Sequence, residues 1–336
     1  MSGDSTKLIR LLIAVYSDAE TKLLKLLADQ TVDADERDWA RRKLAAIDLV
    51  LDKAREIVER AGNKGDEYLL RLLAQEVQRG FASTDQLPDL LAGVNVTPTG
   101  LLTRAVFGEL RDARLQILRS VEDIFRAIIE EVSFGVVTGV ETRKEIAASA
   151  LAKFAQDGIT AFVDAAGRRW DIASYVEMAT RTAAQQAFRE GRIRAIVDSG
   201  DDLAVIRSAP SRCPNCSAWR NKVLSISGTD PKYPPLQRAL DGGVFHPNCR
   251  CTINKYIPGL TRLDVDERVD NYYDAEQEQR RLERELRAVD RVLLVDPANQ
   301  EARERYRLLQ DELEELLQDN PELKRKPERE AADGVR

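Results

Sequence analysis

The residues best suited to chemistry crowd into one stretch, Cys213 to Cys251, which reads CPNCSAWRNKVLSISGTDPKYPPLQRALDGGVFHPNCRC. All four cysteines and the one histidine of the 336-residue chain fall inside it. Cys213 and Cys216 form a Cys-x2-Cys pair with Pro214 and Asn215 as the turn between them. After 29 further residues comes His246-x2-Cys249-x-Cys251. Two short groups of soft donors flanking a turn-rich loop are spaced as a metal site is spaced. A structural zinc ion takes four such donors, thiolate sulfur at about 2.3 Å and imidazole nitrogen at about 2.0 Å. Cys213, Cys216, His246, Cys249 and Cys251 offer five, so four would hold one zinc and one would be spare.

Local pattern adds detail. The run CRCTINKYI from Cys249 to Ile257 is rich in strand formers, which would set Cys249 and Cys251 on one sheet face about 7 Å apart. His246, extended before Pro247, would be either a ligand or a hydrogen-bonding partner of the turn. A metal-free thiol cluster and a set of disulfides are the alternatives, and the reducing interior of a cell weighs against the second.

Catalytic readings fare poorly on the same residues. A zinc deaminase places His-x-Glu ahead of Pro-Cys-x-x-Cys, whereas here the cysteine pair comes first and Pro247 and Asn248 follow the histidine. A thiol or metal hydrolase would pair a cysteine with His246, but donors this crowded quench a thiolate by binding metal. No phosphate-cradling glycine loop or serine elbow stands out, so no catalytic residue is expected.

Most of the chain that must position this cluster is helical by pattern. Leu8, Leu11, Leu12, Val15, Ala19, Leu23 and Leu26 recur at helical steps. Leu44, Ile47, Leu51, Ala54 and Val58 do so after the polar turn TVDADE. The two stripes predict a hairpin over 5–61, ended by Gly62 and Gly65 and followed by a short helix from Tyr68 to Val77. Phe81 to Gly100 reads as a loop. Val106, Leu110, Ala113, Ile117, Val121, Ile124, Ile128 and Val132 then mark a long helix packed in a bundle or against a partner.

Val176 to Ala195 combines small residues on one side with Arg181, Gln185, Arg189 and Arg192 on the other, a row expected to face solvent or an acidic partner. Strands are expected only near the cluster, at 203–207, 222–226 and 249–257, with Trp219, Tyr233, Phe245 and Tyr256 as filling. So small a sheet has little core, and a metal cross-link would supply stability that it lacks. Beyond Gly259, two charged helices with a narrow leucine stripe suit docking onto another chain, the second starting with Asp296 as N-cap and Pro297 at its first position.

The fold class expected is therefore mostly α, a long-helix bundle with a small α+β Cys/His module inserted before a C-terminal helical hairpin. The segments would be 1–140 (helical bundle), 141–259 (the Cys/His module), 260–319 (hairpin or rod) and 320–336 (a mobile polar tail). No uncharged run is long enough to span a membrane, and the first residues lack a secretory cleavage site. Net charge is −6, yet residues 168–255 carry 14 Lys and Arg against 8 Asp and Glu. That local excess admits a zinc-stabilised nucleic-acid-binding module as an alternative.

Several separated motifs carry a family resemblance: Arg181-Thr182-Ala183, the run from Phe188 to Gly191, Trp219 with Lys222 and Val223, Ser225 to Gly228, Tyr233-Pro234-Pro235, His246 to Arg250, and Tyr256 to Gly259. In this order they resemble the minor capsid (minor head) proteins of tailed phages, a group that includes the Mu F-like head morphogenesis proteins. The resemblance covers roughly residues 175–260. It implies a structural virion protein near the portal vertex, acting in head assembly, genome packaging or genome delivery. It further implies contacts with portal protein, major capsid protein and packaged DNA, several copies per particle, and residence in the head after assembly in the host cytoplasm. It brings no catalytic residue with it.

Overall fold

A computed structural model describes residues 3–31, 38–82, 97, 99–138, 142–165, 167–207, 214–263 and 272–333. The chain opens with helices α1 (Gly3–Thr31), α2 (Trp39–Ala45), α3 (Ile47–Ala82), α4 (Gly100–Thr138) and α5 (Arg143–Asp157). A hairpin of β1 (Thr160–Val163) and β2 (Arg169–Asp171) leads into α6 (Ile172–Asp198). Next come β3 (Leu203–Arg207), α7 (Pro214–Ser217), β4 (Val223–Ser225), α8 (Leu236–Asp241) and β5 (Thr252–Lys255). The helices α9 (Tyr273–Val295), α10 (Gln300–Asp319) and α11 (Pro327–Glu330) close the chain. The fold is mostly α with small antiparallel sheets, as the pattern of the sequence requires.

By packing, the chain forms two compact units, each gathered from three separate stretches. The first comprises Met1–Ile9, Tyr68–Phe107 and Met178–Glu276; the second comprises Arg10–Glu67, Gly108–Glu177 and Gln277–Arg336.

In the second unit, α3 continues straight through Gly62 and Gly65, where a helix end was expected. Both glycines are there for clearance. A β-carbon on Gly62 would lie 2.7 Å from the Arg114 guanidinium, and one on Gly65 would lie 2.8 Å from the Tyr16 ring. Arg114 reaches across to the Tyr16 hydroxyl (3.2 Å), the Gly62 carbonyl (3.3 Å) and the Asp66 carboxylate. The loss of helix propensity at each glycine, about 1 kcal/mol, is offset by these contacts. Every residue of the long stripe expected from Val106 to Val132 is buried within the chain. The expected polar turn falls mostly on residues 32–37, outside the described residues, as does most of the loop expected over 81–100.

The β1–β2 hairpin corrects the expectation that strands would be confined to the cysteine region. Its turn is set by Asp164, whose carboxylate accepts from the Arg168 amide (2.9 Å) and from the Trp170 indole (3.2 Å), with Gly167 at φ +77°. Such short strands carry too little alternation to be seen in sequence.

α9 and α10 also belong to the second unit. Their leucine stripe is covered from within: Leu282, Leu286, Val289, Leu309 and Leu313 form one buried cluster with Ala152 of α5 against it. The N-cap of α10 is Asn299, accepting from the Ala302 amide at 2.9 Å, and the expected cap at Asp296 is not made. Asp296 instead finishes α9, its amide donating to the Val292 carbonyl at 2.8 Å. Part of the segment expected as a mobile tail, 320–336, is held by packing among the described residues. Arg329, Glu330, Ala331 and Ala332 are buried, and Arg329 pairs with Glu283 at 3.1 Å and with Glu177.

The first unit carries the sheet, in the order β4-β3-β5 and antiparallel throughout. It also contains a tight helix crossing. A β-carbon on Gly80 of α3 would fall 2.0 Å from the Phe188 carbonyl oxygen of α6, and one on Gly191 would fall 1.9 Å from the Val77 carbonyl oxygen. The two backbones meet directly, and only glycine fits either position.

Candidate metal centre

The first unit's small sheet packs on a core that includes the cysteines themselves: Ala204, Ile206, Leu224, Leu236 and Ile253 share a cluster with Cys216, Cys249 and Cys251. Trp219 and Phe245 lie against this cluster, and Tyr233 meets Tyr256 edge to face at 6.2 Å, as expected of this filling.

Each donor is delivered by a separate device. Cys216 sits on α7 and is 1% exposed; the turn after it is closed by the Trp219 amide donating to the Cys216 carbonyl at 3.1 Å. His246 and Cys249 come from the loop between α8 and β5. Phe245 and Asn248 both adopt left-handed backbone, at φ +63° and +62°, which turns the loop sharply around the cluster. The Cys249 amide donates to the His246 carbonyl at 2.9 Å, and the Asn248 amide donates to the Thr182 hydroxyl of α6 at 3.1 Å. Cys249 and Cys251 lie ahead of β5, in place of the strand positions expected for them, yet both side chains turn inward.

The result is a compact donor set. Cys216 Sγ and Cys249 Sγ are 3.5 Å apart, and with His246 they place ligand atoms within 4.8 Å of one another. Two thiolates on one tetrahedral zinc are about 3.8 Å apart, so the spacing suits a shared ion. Cys251 joins beside this trio, its thiol interacting with both Cys216 and Cys249. No disulfide links Cys216, Cys249 or Cys251. His246 Nδ1 lies 2.8 Å from the Pro247 carbonyl; a proton on Nδ1 would donate there and put the ring lone pair on Nε2, the arrangement of a metal-bound imidazole. Cys213 lies outside the described residues.

The electrostatics favour a thiolate at Cys249. Hydrogen bonds from Cys216 and Cys251 drive the Cys249 thiol far down, and the Cys251 amide also donates to its sulfur at 3.4 Å. Cys216, the donor in that exchange, is pushed up. Arg189 of α6 is buried beside them, correcting the expectation that the arginine row faces solvent. Its guanidinium lies 4.3 Å over the Phe245 ring, and burial lowers its pKa to about 10 against the opposing pull of Cys249, Cys251 and Cys216. Nη1 of Arg189 is buried without a hydrogen-bond partner among the described residues. Arg192, next on the same face, donates to the Ile253 carbonyl at 3.2 Å and to Asn254, tying α6 to β5. Helical spacing alone cannot separate such buried arginines from solvated ones; the left-handed loop opposite them is equally silent in sequence.

Comparison with known proteins follows the same lines. The chain is 23% identical over 275 residues to a protein named "Structural protein" from Lactococcus phage LL-H, an alignment covering 74% of this chain and 70% of that protein. No solved structure gives a significant match. The family model described as phage minor capsid protein 2 matches residues 4–318, through both compact units and the cysteine cluster alike. The chain belongs to the phage minor capsid protein 2 family.

Proposed function

We propose that this phage structural protein sits in the head near the portal vertex, contacting portal and major capsid proteins in several copies per particle and acting in head assembly, genome packaging or genome delivery. The observation that carries the reading is the family match over nearly the whole chain. The architecture agrees with it. The helices are long, and no helix among the described residues is long and apolar enough to cross a membrane. Within that role the Cys/His cluster is a structural clamp for one zinc ion, held by four of Cys213, Cys216, His246, Cys249 and Cys251, that fastens the loop before β5 to α7. The burial of Cys216, Cys249 and Cys251 in the core favours a structural role over hydrolysis.

The runner-up, a nucleic-acid-binding module, draws less support because several of the local basic residues have partners within the chain. Arg194 pairs with Glu190, Arg250 with Glu276, Lys255 with Asp201, and Arg207 with Asn221. Mass spectrometry of purified heads, with labelled antibody used to locate the protein on particles, tests the proposal. Stoichiometric presence at one vertex is expected. Absence from assembled heads, or an even spread over the shell, would overturn it.

A further inference from the structure

The buried arginine beside the cysteines bears on how many thiolates a metal there would take. This inference rests on the reading that the cluster holds a divalent ion. Three thiolates and a neutral imidazole on such an ion leave one net negative charge. Two thiolates leave none, and four leave two. A buried charge persists only where an opposite charge meets it, and Arg189 supplies one positive charge in the wall of the cluster. That side chain is 7% exposed, stacked on Phe245, with Nη1 unpartnered among the described residues. Geometry points the same way, since the side chains of Cys216, Cys249 and Cys251 lie against one another in the core and the His246 ring joins Cys216 and Cys249 within 4.8 Å.

We infer that the centre is an anionic three-thiolate site, with Cys216, Cys249, Cys251 and His246 as its ligands, balanced by Arg189 as a positioning residue, and that Cys213 is the spare donor. With two thiolates the arginine would be buried beside a neutral centre. With Cys213 replacing His246, a second negative charge would be left over. Only three thiolates with His246 close the count, and Cys251 is taken as the third because its side chain lies against both Cys216 and Cys249.

The test uses the full chain loaded with zinc and, separately, with cobalt(II). Elemental analysis is expected to give one metal ion per chain, and Cys213→Ser to keep that ion together with the native intensity of the sulfur-to-cobalt absorption. Cys216→Ser, Cys249→Ser and Cys251→Ser should each lose the metal or lower that absorption by about a third. Arg189→Met should release zinc to a competing chelator at about 10- to 100-fold lower chelator concentration, as loss of an outer partner does, while Arg189→Lys keeps most of the affinity. A native protein without metal overturns the underlying metal reading. Metal in the native protein with loss of absorption in Cys213→Ser overturns the ligand assignment. Unchanged zinc retention in Arg189→Met overturns the charge balance, and circular dichroism of each variant separates these results from misfolding.

Discussion

The carboxylates of Asp171 and Glu20 show how a single buried charge depends on its neighbours. In the second unit, burial would raise the Asp171 pKa, yet Arg287 and Arg291 hold it at about 2, with the Ser174 amide and hydroxyl donating to it at 2.9 and 2.8 Å. Glu20, 3.8 Å from Arg291 and accepting from the Ile159 amide, goes the other way, its pKa raised because burial outweighs its partners. The lowered group gives stability that is complete above the unfolded value of 3.8 and drains away as pH falls toward about 2. At about 1.4 kcal/mol per pKa unit that is roughly 2 kcal/mol. Denaturant melts of the native chain between pH 5 and 2 should show this loss, and Asp171→Asn should flatten the slope. Arg291 also donates to the Ala155 and Gln156 carbonyls at the end of α5, at 2.8 and 2.9 Å. Arg291→Met strips two carboxylates and two carbonyls of a partner, so a destabilisation of about 3–5 kcal/mol is expected in the same melts. None of these partnerships is readable from spacing, because the residues come from positions 20, 155, 171 and 291. The cysteines were readable because soft donors are rare and their clustering is itself the signal.

Among the elements, legibility followed length. The stripe from Val106 to Val132 repeats often enough to name most of the buried residues of α4, missing Ser120, Phe125 and Ile129, whereas β1 and β2, of four and three residues, leave no periodic trace. Glycine misled in α3, since its usual meaning is a helix end and its meaning here is clearance. The difference can be measured. Gly80→Ala and Gly191→Ala each drive a methyl into an opposing backbone carbonyl that has nowhere to move, so a loss of at least about 1–3 kcal/mol is expected by chemical denaturation. Gly65→Ala meets a side chain, the Tyr16 ring at 2.8 Å, where the other two meet backbone, and should cost less than either. At the start of α10, Asn299→Ala removes the cap on the Ala302 amide and should cost about 1 kcal/mol, while Asp296→Ala should cost less.

For the whole molecule, neither compact unit is one continuous piece of chain. Each draws on the beginning, the middle and the later part of the sequence. The last described residues close this arrangement: Arg329 is buried between Glu283 and Glu177, and its carbonyl accepts from Arg287 at 2.9 Å. A stop codon after Asn320 would therefore leave Glu283 buried without its cation. Such a chain should melt several degrees lower in scanning calorimetry, by the same roughly 3–5 kcal/mol that breaking a buried pair costs. Because the second unit draws on residues near 330 as well as on residues 10–67, a ribosome must synthesise both stretches and everything between them before that unit can be finished. The order of translation thus becomes a timer: until Arg329 has emerged, a nascent copy holds Glu283 and Glu177 without the cation that joins them.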